Sequence, residues 1–92
     1  MNKLSKLEKI SDGIFQYPLQ VTGVHRTPNN LMAKVIIVGD SISIEIWTVK
    51  DDGSPDNVVM QQTYGKGSIY AIIALNAFDA PIGQILKLIN NE

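Results

Sequence analysis

The stretch Ala33–Val49, AKVIIVGDSISIEIWTV, decides the fold. With Gly39-Asp40 in a two-residue turn, Ile37 stands opposite Ile42, Val35 opposite Ile44 and Ala33 opposite Ile46. The alternate residues then pair Lys34 with Glu45 and Met32 with Trp47. One turn assignment thus yields an apolar face, an opposite-charge pair and an aromatic–thioether pair. A slip of one residue would exchange the two faces and lose all three. The expected element is a β-hairpin that turns Ile42, Ile44 and Ile46 toward the core.

Downstream of the hairpin, Asp51-Asp52-Gly53-Ser54-Pro55-Asp56 is rich in turn formers. It leads into a strand over Val58–Tyr64, with Val58 and Met60 directed inward and Gln62 interrupting that face. Upstream, Thr27-Pro28-Asn29-Asn30 reads as a turn. Leu19 and Val21 alternate with Gln20 and Thr22 as a first strand, and Pro18 argues for an extended or edge position. Leu4, Leu7 and Ile10 recur at three-residue spacing beside Lys3, Lys6 and Lys9. That spacing predicts a short amphipathic N-terminal helix ended by Gly13.

The C-terminal third is different in kind. After Gly65-Lys66-Gly67, the stretch Ser68–Phe78 is apolar almost all round. Its alanines at 71, 74 and 77 form a helical stripe, while Ile69, Ile72 and Ile73 would also suit a strand. Its length favours a helix. The last element starts with Asp79 as a cap and Pro81 in the first turn, and Ile82, Ile85, Leu86 and Ile89 follow a helical period. The fold class predicted is α+β: one domain over residues 1–92, an antiparallel four-stranded meander with an N-terminal helix and two C-terminal helices.

Composition narrows the function classes. The 92 residues carry a net charge of −1 and a pI near 5.7. No global field therefore draws the chain to nucleic acid or to an acidic membrane. Charged residues make up 18%, below the roughly 25% of typical domains, so the surface is less protected against association. There is no cysteine, which excludes disulfides, thiolate metal sites and thiol catalysis and fits a reducing cytoplasm. The N-terminus lacks the apolar segment of a signal peptide. The longest apolar run, Ile69–Leu75, is far short of the roughly 20 residues of a membrane helix. The Asn, Lys and Ile usage fits a bacterial or phage source.

Each candidate for chemistry has a plainer reading beside it. Gly65, Lys66, Gly67 and Ser68 precede a helix and could hold an anion on backbone N–H groups, but the P-loop spacing is absent and a turn explains them. Asp51, Asp52 and Asp56 offer oxygen ligands without EF-hand spacing, so no metal is expected. His25, the only histidine, lies beside Arg26 with no evident nucleophile or orienting partner, and no catalytic constellation appears. No enzyme activity and no cofactor are therefore expected. Lys3, Lys6, Lys9 and Arg26 could form a basic patch, although Glu8 interrupts it and no aromatic residue interleaves.

Two features point to protein contact. Met32, Ile36 and Trp47 share the hairpin face opposite the core isoleucines, where a sheet with helices on its other side should be polar. They are the candidate partner-binding residues, unless the N-terminal helix covers them. Between Gly67 and Asn91 the only charges are Asp79 and Lys87, which favours a homodimer. The expected function is a small cytoplasmic protein-binding module, an inhibitor or regulator of the kind phages and mobile elements encode. The alternatives are a nucleic-acid-binding module using Lys3, Lys6, Lys9 and Arg26, and a small nucleotide-binding protein using the Gly65–Ser68 turn.

Overall fold

The structure, a computed structural model, describes residues 7–19 and 31–90. The hairpin forms as its pattern requires. Strand β3 (Leu31–Val38) and strand β4 (Ser41–Val49) pair antiparallel, with Ile37↔Ile42, Val35↔Ile44, Ala33↔Ile46, Lys34↔Glu45 and Met32↔Trp47. Gly39 takes φ +57 while Asp40 stays out of the positive region. Glycine at the first central position with that φ is what a type II′ turn needs to match strand twist.

Among the described residues, two strands precede this hairpin and one follows it. The sheet order is β1 (Glu8–Ser11), β2 (Ile14–Leu19), β3, β4 and β5 (Pro55–Gly65), antiparallel throughout. Among the described residues the sheet therefore has five strands, not four, and the expected N-terminal helix is absent over its described part. Leu7 to Ile10, which the helical reading included, lead into and form β1. Leu4, Lys3 and Lys6 lie outside the described residues.

The physical reason is Asp12-Gly13, which closes a hairpin through the pair Ser11↔Ile14 instead of ending a helix. Asp-Gly between short runs is a hairpin signal, and the three-residue spacing of Leu7 and Ile10 concealed it. Gly13 has φ +77, and its carbonyl accepts a hydrogen bond from Ile37 N–H at 2.8 Å. A Cβ there would stand 2.6 Å from the Ile37 carbonyl oxygen, so both the backbone angle and the close approach of β3 exclude a side chain.

Pro18 pairs with Met32, beyond Gln16, the last β2 residue opposite β1. Its missing N–H thus falls on a described edge, where proline is tolerated. Residues 20–30, including Val21 of the expected first strand, lie outside the described residues. In β5, irregular pairing skips Val59 and places Val58 opposite Trp47, so Met60 faces Ile46 while Val58 does not point inward.

The two C-terminal helices form as expected. Ser68 caps helix α1 (Ile69–Ala77), its hydroxyl accepting from Tyr70 N–H at 3.0 Å. At the other end Asp79 N–H donates to Asn76 O at 3.0 Å and Ala80 N–H to Leu75 O at 3.0 Å, a Schellman arrangement. Asp79 occupies its left-handed position with φ +57. Asp79 thus ends α1 and does not begin helix α2 (Ile82–Asn90); the Pro81 carbonyl starts α2 by accepting from Ile85 N–H at 3.1 Å.

Both helices cover one sheet face. Ala71 and Leu75 of α1 and Ile85 of α2 pack onto Tyr17, Ala33, Val35, Ile42, Ile44 and Ile46. Tyr17 is 1% exposed and donates its phenolic proton to Phe78 O at 3.0 Å. One of the carbonyls orphaned at the end of α1 is thereby satisfied.

Candidate protein-interaction site

The sheet face away from the helices is built in rows by the register. Pro18, Met32, Trp47 and Val58 stand side by side across four strands. Gln16, Lys34, Glu45 and Gln61 form the next row, and Ile14, Ile36, Ser43 and Thr63 the third. A polar row therefore separates two rows with apolar members. Among the described residues no helix lies over this face, because both helices pack on the opposite one. Met32, Ile36 and Trp47 are half-buried by their neighbours, while Val38 and Val58 are 65% and 47% exposed.

Trp47 is held by the polar row beside it. Its indole N–H donates to Glu45 Oε1 at 3.0 Å, and Lys34 Nζ stands 4.5 Å from the ring centroid. Lys34 and Glu45 are opposite, as the register requires, but each engages the indole between them. Charge–quadrupole attraction holds the lysine over the ring. The indole N–H already has an acceptor, so a partner can cover this side chain without stranding a donor. Ser43 and Thr63 likewise satisfy each other at 2.9 Å.

The other candidates fall in different places. Gly65 is the last residue of β5, and Lys66 N–H donates to Asp40 O at 2.7 Å, tying the connection to the β3–β4 turn. Ser68 N–H donates to Gly65 O, and the Ser68 hydroxyl serves α1 as its cap. The Gly65–Ser68 segment thus carries structural bonds of its own, and its cap hydroxyl occupies one of the N–H donors an anion would use. Lys9 stands 3.5 Å from Asp12, an exposed pair worth little. Lys3, Lys6, His25 and Arg26 lie outside the described residues.

Asp52 accepts from both the hydroxyl and the N–H of Ser54, at 2.7 and 2.9 Å. These bonds hold its carboxyl below the usual carboxylate range and mark a turn. Among the described residues no cluster of three acidic or imidazole groups could hold a metal ion. None of the described helices is long and apolar enough to cross a membrane.

A second apolar surface was not assigned by sequence. Met60, Gln62 and Tyr64 of β5 and Tyr70, Ile73 and Ala77 of α1 line an open groove of about 450 Å³. Ser68–Phe78 is apolar on every side, so periodicity could not say which flank of the helix stays outside. Comparison with protein families, curated proteins and solved structures finds no match for this chain.

Proposed function

We propose that this chain is a small cytoplasmic protein-binding module, an inhibitor or regulator that acts by contact. The observation that carries this reading is the pairing of one helix-covered sheet face with an opposite face that presents Met32, Ile36 and Trp47. Trp47 is the anchor: a large ring, its N–H satisfied and its position fixed by Lys34 and Glu45, set between Met32 and Val58. Tryptophan is enriched among the few interface residues whose truncation costs about 2 kcal/mol or more. The charge-poor C-terminal third supports self-association as a homodimer as well.

The test is a comparison of Trp47→Ala with the wild type, both immobilised and exposed to extract of the source cell. The variant should lose a specific retained protein, a weakening of roughly tenfold or more. Its thermal midpoint should fall only slightly, because the core lies on the other face. Equal retention by both proteins, or unfolding of the variant, would refute the assignment.

A further inference from the structure

The two edges of this sheet are defended unequally. Edge strand β1 is four residues long, carries Glu8 and Lys9, and its pairing with β2 is irregular between Lys9 and Ser11. Short length, charge and irregularity are the usual protections against strand addition. Edge strand β5 spans eleven residues, and from Asn57 to Gly65 it has neither charge nor proline. From Met60 to Gly65 its pairing with β4 runs without a register shift.

Among the described residues, no strand pairs with the outer side of β5. Val38↔Ser41 closes the β3–β4 hairpin, so Ser41, Ser43 and Glu45 bond β3 while Ile42, Ile44 and Ile46 turn their backbone groups toward β5. Their partners are Tyr64, Gln62 and Met60. Antiparallel alternation then directs the backbone N–H and C=O of Gln61 and Thr63 outward.

Beside that edge runs the apolar groove of β5 and α1. On the groove, Tyr70 and Ile73 are 67% and 56% exposed, and outside it the β5 residue Val59 is 58% exposed; α1 carries no charged residue. From this combination we infer that a second copy of the chain adds its β5 antiparallel to the first, joining two sheets across a two-fold axis and closing both grooves. This rests on the self-association proposed above and specifies its surface.

Three considerations select a second copy. An isologous contact brings each residue's like together, and a neutral edge beside a neutral helix brings no like charges together. The antiparallel arrangement is the one a two-fold axis perpendicular to the sheet produces from a single strand. The area is also of the right order. With roughly 200 Å² for a full large side chain, the exposures of those three side chains amount to about 350 Å² per copy and about 700 Å² for two. The groove floor and backbone edge extend this toward the roughly 1,000 Å² of a specific interface.

Sedimentation and amide hydrogen exchange, each across about 1 to 100 µM, test this with two variants. Gln61→Pro removes an outward N–H that β4 does not use, and Ile73→Lys places a charge on the groove wall of each copy. The wild type should be a dimer in which Gln61 and Thr63 amides exchange more slowly as concentration rises. Each variant should raise the dissociation constant roughly tenfold or more while keeping the circular dichroism of the fold. A dimer with unprotected Gln61 and Thr63 amides, or one that both folded variants leave intact, overturns the β5 edge and leaves dimerisation standing. A wild-type monomer throughout overturns both. The exchange measurement needs no variant, so a misfolded proline variant does not blunt the test.

Discussion

Tyr17→Phe should make the protein weaker at neutral pH and flatten its response to alkali. Tyr17 lies under the end of α1, 1% exposed, with its hydroxyl on Phe78 O at 3.0 Å. Removing the hydroxyl deletes one hydrogen bond and leaves that carbonyl without its donor, a loss of about 1 kcal/mol. In a domain of this size that lowers the thermal midpoint by about 4–8 °C. Burial first, and the Asp79 carboxylate second, raise the phenol well above its ordinary value of 10.0. The folded state therefore keeps its proton where the unfolded state releases it. Stability from this group is fully present below about pH 10 and is lost as pH climbs toward the folded value, by about 1.4 kcal/mol per pH unit.

The phenylalanine variant lacks that loss, and the other titrating groups are common to both proteins. The two stability curves should converge above about pH 10 and cross near pH 11, where the alkaline loss equals the missing hydrogen bond. Urea titrations read by far-ultraviolet circular dichroism at half-unit steps of pH would follow both curves. Parallel curves through pH 11.5 would refute the burial of the phenol. A variant as stable as wild type at pH 7 would refute the bond to Phe78.

Two further substitutions test the backbone reading. Gly13→Ala should destabilise by about 2–4 kcal/mol, since it combines a left-handed φ with a Cβ 2.6 Å from Ile37 O; a loss below 1 kcal/mol in the same urea titration would show that this turn has another shape. Asp79→Gly should stabilise by about 0.5–1 kcal/mol, because it relieves a left-handed aspartate and removes a negative charge from a helix C-terminus. A destabilised variant in calorimetry would mean that Asp79 bonds something that favours the carboxylate.

The legible parts of the chain are those where one local constraint determined many positions. Gly39-Asp40 sets every pair from Met32↔Trp47 to Val38↔Ser41, because a two-residue turn and a period of two leave no freedom. The N-terminus offered no such redundancy. Leu7, Lys9 and Ile10 fit a helical spacing, and only the tertiary contact of Gly13 with Ile37 shows why the chain turns back there. Asp79 was misplaced for a related reason. An aspartate before a proline resembles an N-cap, yet here a left-handed aspartate closes the preceding helix. Of the candidate site, the face bearing Met32, Ile36 and Trp47 follows from register alone. The interaction of the indole with Lys34 and Glu45 does not, because cross-strand pairing names neighbours without saying which side chain takes which partner.

The same distinction explains why α1, on which the proposed β5-edge dimer leans, is the least legible element. A surface helix normally shows one apolar stripe, and that stripe locates the core. Ile69–Ala77 has apolar residues on all sides, so sequence identifies the helix but not its buried face. The structure places Ala71 and Leu75 in the core while Ile69, Tyr70 and Ile73 remain outside. A small residue at 71 lets the helix approach the sheet, and the larger side chains collect on the flanks. Burying the larger members against the sheet instead would hold the helix farther from Ile44 and Leu75 farther from its place in the core. Packing Ala71 and Leu75 against the sheet therefore leaves Tyr70 and Ile73 outside, on the groove beside β5.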